Sequence, residues 1–218
     1  QELLLQLLEH SPSETPEIIK ALYRTKFRAE KKETRALLED YCKAYIRYAV
    51  ELLHMQYALP LKEKPAGLIF NAVQIELLEI RELLLCFFSI LYNRDQIKKV
   101  RNGLNANMRE SIANAMEIIE LTVRKDIGKY FNLLYEDIPL DRKCDALKFL
   151  NTDTSYLQTS QVLGRILSEQ PITYLDWTKA CAMYISKKYH LAIDKSLLEK
   201  FLHAENTMLQ ETAAYARA

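Results

Sequence analysis

The sequence predicts an all-α fold, and three features of the chain support that prediction. Only four of the 218 residues are glycine, whereas β-hairpins and sandwiches need glycine at many turns. The six prolines stand where helices are expected to begin or end. Between them, apolar residues recur at spacings of three and four, which is the helical period. No segment shows a sustained alternation of apolar and polar residues, so we predict no strands.

Two long helices are predicted in the first half of the chain. A helical stripe crosses residues 33–58, and a second stripe indicates a helix of about 25 residues. The first stripe comprises Leu37, Leu38, Tyr41, Tyr45, Tyr48 and Leu52. The second comprises Leu68, Phe70, Val73, Leu77, Ile80, Leu84, Phe87, Phe88 and Leu91. We expect the three tyrosines to border a groove, with their rings inward and their hydroxyls outward.

Shorter helices are predicted from residue 94 onward. Their expected ranges are 95–104, 108–123, 126–135, 139–150, 156–168, 173–189, 195–203 and 207 to the end. Ser155-x-x-Gln158, Thr173-x-x-Asp176 and Ser196-x-x-Glu199 resemble capping boxes, in which a side chain accepts from an exposed backbone N–H at a helix start. The short connections predict antiparallel helical hairpins.

A four-residue pattern recurs in the second helix of each expected hairpin, with offsets of 31, 36 and 31 residues. The four copies are Ala115-Met116-Glu117-Ile118, Ala146-Leu147-Lys148-Phe149, Ala182-Met183-Tyr184-Ile185 and Ala213-Ala214-Tyr215-Ala216. A small residue followed by a large apolar one lets a paired helix approach closely and then interlock. Two helices per repeat of this length predict an α-solenoid, and an irregular helical bundle is the alternative.

Several segments resemble a known family of repeats. Glu76–Ile97, Val100–Leu104 and Ser111–Glu117 resemble the HEAT-repeat (armadillo-like) region of bacterial ATP/ADP-translocase-like membrane proteins. Asp176–Tyr184 and Leu209–Ala216 are similar to second helices of HEAT units there. The resemblance implies N-terminal helices in residues 1–64, followed by HEAT-like repeats forming an α-α superhelix in residues 65–218. The unit at 126–150 departs from the pattern because it is short and has few small residues.

In that family the repeats follow a transporter-like membrane domain and often precede a cyclic-nucleotide-binding domain. The resemblance therefore implies a cytoplasmic scaffold that contacts another protein or a neighbouring domain of its own chain. It also implies a link to the inner membrane only through a fused domain. The chain does not begin with Met and stops at Tyr215-Ala-Arg-Ala in mid-pattern, so we expect a segment of a longer protein.

Composition and motif counts argue against enzymatic chemistry. No two glycines lie closer than 25 residues, which excludes a GxGxxG motif, a P-loop and a GxSxG elbow. The four cysteines form no CxxC pair and are expected to be reduced, buried thiols. Glu51-x-x-His54 is half of a di-iron motif, but no second copy exists. We therefore expect an exposed helical pair there, and no metal or cofactor.

Other polar and aromatic features have structural explanations. The adjacent acids Glu39 and Asp40 point apart on a helix and are expected to be solvated. The basic cluster from Arg24 to Arg35 is expected to be a solvated helix end and linker, although it could also meet phosphates or acidic lipid headgroups. Trp177, the single tryptophan, is expected to pack between two repeats.

The predicted function is thus a non-enzymatic HEAT-like interaction module. We expect its contact surface on the inner second helices, with Arg109, Lys143, Lys179 and Tyr184 as the partner-binding residues. The alternative is a nucleic-acid-binding α-solenoid. The formal net charge of +1 makes that alternative less favourable, because backbone recognition depends on a basic surface.

Overall fold

The computed structural model describes residues 2–10, 12–59, 64–106, 108–150, 158–168, 170 and 172–218, without the side chains of 2, 3, 9, 10, 12 and 64–66. Every regular element in these ranges is helical, which confirms the all-α prediction. The α-helices are α1 Glu2–His10, α2 Thr15–Arg24, α3 Lys32–Ala58, α4 Lys64–Leu91, α5 Arg94–Asn105, α6 Arg109–Thr122, α7 Lys125–Tyr135, α8 Leu140–Leu147, α9 Thr159–Leu167, α10 Asp176–Lys188, α11 Ser196–Glu199 and α12 Thr207–Arg217. Short 3-10 helices are Pro12–Glu14, Lys148–Leu150 and Lys200–His203.

The helices predicted after residue 94 correspond one by one to α5 through α12. The predicted range 139–150 is divided into α8 and a 3-10 turn, and the range 195–203 is divided in the same way after α11. Observed ends lie within about three residues of the predicted ends. The start predicted at residue 156 lies outside the described residues.

Two of the predicted capping boxes are wrong, and one lies partly outside the described residues. Helix α10 begins at Asp176, so Thr173 precedes its N-terminus by three residues. Helix α11 begins at Ser196, whose N–H donates to the Asp194 carboxylate at 2.9 Å. Ser155 is not among the described residues, and the N–H of Gln158 instead donates to the Gln161 side chain at 2.8 Å.

The chain forms two compact units. One comprises residues 1–50 and 79–150, and the other comprises residues 51–78 and 151–218. Helices α3 and α4 each contribute one part to the first unit and another part to the second. The predicted division at residue 64 remains a prediction based on the resemblance.

The core of the first unit is built around the C-terminal half of α4. All residues from Leu83 to Leu91 are buried, as expected for a helix that is apolar on every side. Phe88 meets Phe131 of α7 edge to face, with ring centroids 5.2 Å apart. The predicted stripe is therefore confirmed here, whereas Leu68 near its start is 37% exposed.

Tyrosines of α3 are more deeply buried than expected. Tyr45 and Tyr48 are only 4% and 6% exposed, and burial raises the pKa of Tyr45. Tyr41 donates from its hydroxyl to the backbone carbonyl of Leu8 at 2.5 Å. The expected groove border with outward hydroxyls is thus wrong for Tyr45 and Tyr48, because the face of α3 that carries them is packed into the core, where the Tyr45 ring lies 6.0 Å from that of Phe87.

Helices α5 and α6 cross closely at a pair of small residues. A Cβ built on Gly103 would lie 2.7 Å from the Ser111 carbonyl oxygen and 3.1 Å from the Cβ of Ala115. Ala115 is 1% exposed, so the small residue of the first repeat copy does permit a close helix approach. At the start of α5, the side chain of Asn93 caps the helix by accepting from the N–H groups of Asp95 and Gln96.

In the second unit, α10 packs against both α9 and α12. The alanines of the repeat pattern in these helices, Ala182 and Ala213, are both fully buried. The matching Ala146 in the first unit is exposed. The small residue of the pattern is therefore buried in α6, α10 and α12 but not in α8, the helix of the short unit.

Candidate interaction surfaces

One exposed aromatic surface is formed by α10 and α12 in the second unit. Tyr184 of α10 stacks on Tyr215 of α12, with ring centroids 5.7 Å apart and planes inclined by 22°. The two residues are 36% and 47% exposed. Lys188 lies one turn after Tyr184, with its ammonium 5.1 Å from the centre of that ring. Interaction with Tyr184 raises the pKa of Lys188.

Trp177 extends this surface toward the start of α10. It precedes Tyr184 by seven residues, or two helical turns, and therefore lies on the same face. It is 46% exposed, so the expectation that Trp177 packs between two repeats is wrong. Ala182 and Met183, on the other side of α10, are fully buried, so the helix turns that side to the core. We call Trp177, Tyr184, Lys188 and Tyr215 the aromatic surface.

Lys179 lies in a cleft beside the first turn of α10. The cleft has a volume of about 540 Å³ and is bordered by Asp176, Lys179, Lys200 and Asn206. The Lys179 ammonium lies 3.2 Å from one oxygen of Asp176, and the Asn206 amide donates to the other oxygen at 2.8 Å. The Lys179 side chain is only 12% exposed, so much of its charge is engaged within the protein.

Arg109 and Lys143 lie in the first unit, near the C-terminal end of α7. The Arg109 side chain is 93% exposed, with its Nε 3.6 Å from the Asp137 carboxylate. Lys143 donates to the Leu134 carbonyl at 3.0 Å. Burial lowers the pKa of Lys143, and the carboxylates of Asp137 and Glu136 offset part of that effect. The four predicted contact residues are thus divided between the two units, with Lys179 and Tyr184 in the second.

A partly buried polar cluster supports the N-terminal end of α10. The Glu51 carboxylate accepts from Arg165 at 2.7 Å and from the Tyr174 hydroxyl at 3.2 Å. Glu76, which is 2% exposed, accepts from the backbone N–H of Leu175 at 2.5 Å. Burial and the nearby Glu51 charge raise the pKa of Tyr174. These contacts attach the segment before α10 to the second-unit parts of α3 and α4.

The same cluster corrects the expectation for Glu51 and His54. His54 is 5% exposed and Glu51 is bound to Arg165, so the two are not an exposed helical pair. The described residues contain no group of three or more His, Cys, Asp or Glu side chains placed to hold a metal ion. All four cysteines are buried thiols that belong to no disulfide, as expected.

Two charged segments were expected to be solvated, and each has one exception. Glu39 forms an ion pair with Arg124 at 2.5 Å, and its side chain is 13% exposed, whereas Asp40 is 74% exposed. In the basic cluster most cations are exposed. Arg35, however, donates to the backbone carbonyls of Ala29 and Leu91 at 3.2 and 2.6 Å. These long-range partners are not visible in local spacing.

Sequence reasoning identified Tyr184 but missed Tyr215 as part of the same surface. The available signal was the 31-residue offset, which gives both tyrosines the third position of the repeat pattern. It also missed the exposure of Trp177, because a lone tryptophan at a helix start gives no indication of which neighbour covers it.

Comparisons with known proteins add no family assignment. No protein-family model matches the chain, and neither a curated protein nor a solved structure matches it. Among the helices of the described residues, none combines the length and apolar character that crossing a bilayer requires.

Proposed function

We propose that this chain is a non-enzymatic interaction module built from HEAT-like helical hairpins, and that it binds another protein or a neighbouring domain of its own polypeptide. The contact surface is the aromatic surface on α10 and α12. In this proposal the module works in the cytoplasm, next to a transporter-like membrane domain where the parent protein carries one.

One observation carries the proposal. Tyr184 and Tyr215 occupy the same position in two copies of the repeat pattern and stack on each other at 5.7 Å, while Ala182 and Ala213 of the same copies are fully buried. Side-by-side second helices with equivalent residues in register are what successive repeats of a solenoid produce. This supports HEAT-like stacking for α9 through α12.

The chemistry of this surface suits a protein partner. Tyrosine and tryptophan are enriched at binding hot spots because they offer large, rigid apolar areas together with a polar atom. Three exposed aromatic side chains on one pair of helices are more than scattered surface residues require. The nearby Lys188 adds a cation for an acidic or polar rim.

Site-specific photo-crosslinking in source cells tests the proposal. A benzophenone amino acid is placed at Tyr184, at Tyr215, or at Tyr57 of α3, which is 51% exposed and serves as the matched control. We expect the same crosslinked protein, or the same intramolecular product, from positions 184 and 215 but not from 57. Absence of a product at 184 and 215, or an identical pattern from all three positions, would contradict it.

A binding isotherm with duplex DNA, measured at several salt concentrations, distinguishes the nucleic-acid alternative from the proposed protein-binding function. A solenoid that contacts the phosphate backbone loses affinity steeply as the salt concentration rises. The proposed protein-binding module shows no such salt-dependent affinity.

A further inference from the structure

The basic segment between α2 and α3, residues 25–31, is held against the first unit by backbone hydrogen bonds. The N–H of Phe27 donates to the Leu22 carbonyl at 3.0 Å, and the N–H of Ala29 donates to the Ile90 carbonyl at 3.1 Å. These two bonds join the segment to α2 and to the C-terminal end of α4. The cations of this segment therefore have a defined position on the surface of the first unit.

Helix α5 brings further cations to the end of α2 through Tyr23. The guanidinium carbons of Arg94 and Arg101 lie 4.4 and 4.9 Å from the centre of the Tyr23 ring, and Arg101 donates to its hydroxyl at 2.6 Å. The Tyr23 carbonyl accepts from Arg94 at 3.0 Å and from the N–H of Lys26 at 3.1 Å. Lys98 follows Arg94 by four residues and precedes Arg101 by three, so it lies on the same face of α5. The end of α2 and the first turns of α5 thus form one surface.

Four exposed cations surround this contact, and we call them the basic surface: Arg24, Lys26, Arg28 and Lys98. Within the part of the chain that the structure describes, none of the four forms an ion pair. Glu17 of α2 and Glu82 of α4 are paired with other cations, at 3.2 and 3.0 Å. Glu30 and Asp95 are exposed carboxylates in the same two segments. The basic surface therefore keeps an excess of positive charge.

Phe27 gives the basic surface an apolar component. It stands between Lys26 and Arg28 in the sequence and is half-buried. An anionic bilayer offers a plane of phosphates with an apolar layer just beneath it, which matches a phenylalanine flanked by cations. A nucleic-acid duplex offers phosphates without such a layer. The combination of charge and aromatic side chain therefore favours a lipid surface over a duplex.

We propose that the basic surface docks onto a bilayer that contains anionic phospholipids. Its four cations lie next to the lipid phosphates, and Phe27 lies at the level of the headgroups. This chain itself makes the contact, in contrast to the fused-domain link that the sequence resemblance implies. The contact does not depend on the aromatic surface.

Lys26 allows the charge to be removed without disturbing the turn. Its φ is 56°, in the left-handed region that glycine adopts without strain, so Lys26→Gly suits the backbone. The test variant is R24Q/K26G/R28Q. The control has the same net charge because it removes three exposed cations elsewhere in the first unit: K125Q/K129Q/R142Q. Far-UV circular dichroism verifies that both variants are folded.

Co-sedimentation with vesicles at low ionic strength measures the partition coefficient. The vesicles contain three parts phosphatidylcholine to one part phosphatidylglycerol, and pure phosphatidylcholine is the neutral counterpart. Each lysine or arginine near an anionic surface contributes about fivefold to partitioning. We therefore expect the test variant to bind about 100-fold more weakly than the unmodified protein, and the control to change about threefold at most. Equal partitioning of the two variants, no binding by the unmodified protein, or equal binding to the neutral vesicles would each overturn the proposal.

A fluorescence readout at position 27 separates a bilayer from a nucleic acid. The F27W/W177F variant carries one tryptophan, placed within the basic surface, because Trp177 is the single tryptophan of the chain. Brominated phosphatidylcholine in the anionic vesicles should quench its emission, since the brominated chains begin just below the headgroups. Binding without quenching would contradict the proposal. Tighter binding to duplex DNA than to the anionic vesicles, lost in R24Q/K26G/R28Q, would overturn it in favour of a nucleic-acid contact.

Discussion

Replacing Gly103 by alanine tests the closest helix crossing in the structure. Alanine is favoured over glycine inside a helix by about 1 kcal/mol, so the local preference alone predicts stabilisation. The new Cβ would lie 2.7 Å from the Ser111 carbonyl oxygen and 3.1 Å from the Ala115 Cβ. Neither neighbour can rotate away, because one belongs to the backbone and the other is the first atom of its side chain.

Helices α5 and α6 must therefore separate to accommodate the methyl group. Overpacking of this kind costs about 1–3 kcal/mol, which equals or exceeds the gain in helix preference. We expect Gly103→Ala to lower the free energy of unfolding by up to about 2 kcal/mol.

Gly164 of α9 provides the matched control. It also lies inside a helix, but a Cβ built there has no neighbour within 4 Å. Gly164→Ala should raise the free energy of unfolding by about 0.5–1 kcal/mol. Urea unfolding followed by circular dichroism measures both values. The reasoning is refuted if Gly103→Ala is as stable as Gly164→Ala.

Three further predictions follow from single contacts. Asn93→Ala removes the cap of α5 and should cost about 1 kcal/mol of unfolding free energy, measured by urea titration against Asn93→Ser as the conservative replacement. Glu76→Ala removes the buried carboxylate that accepts from the N–H of Leu175 and should cost about 1–3 kcal/mol, whereas Glu76→Gln retains an acceptor and should cost less. Burial raises the pKa of Cys144 and Cys181 from 9.0 to about 11, so the unfolded thiols ionise first and stability should fall between pH 9 and 11. The C144A/C181A variant should lose less stability over this pH range. An unchanged pH dependence of its unfolding free energy would contradict the attribution of the effect to these two thiols.

Helix positions could be predicted from the sequence because the responsible signals are local. Prolines and the three-and-four spacing of apolar residues located α5 through α12 within a few residues. The small residue Ala115 also indicated a close approach that Gly103 provides on the neighbouring helix. Both patterns extend over only one or two helical turns, so they can be recognised without knowledge of tertiary contacts.

Side-chain roles were less predictable because they depend on partners far along the chain. Glu39 pairs with Arg124, which lies 85 residues later in the sequence, and Glu51 pairs with Arg165, 114 residues later. Neither pairing has a signature in local spacing. Trp177 was expected to be covered, yet the face of α10 that enters the core is the one carrying Ala182 and Met183.

The most direct test of the aromatic surface is the affinity of the crosslinked partner for the Y184A/Y215A variant, measured by isothermal titration calorimetry. Removing two hot-spot aromatic residues typically costs 2 kcal/mol or more, so the account predicts a loss of at least about 30-fold. The control Y57A, on α3, should retain the affinity of the unmodified protein. A correctly folded Y184A/Y215A protein that binds the partner as tightly as Y57A would contradict the account.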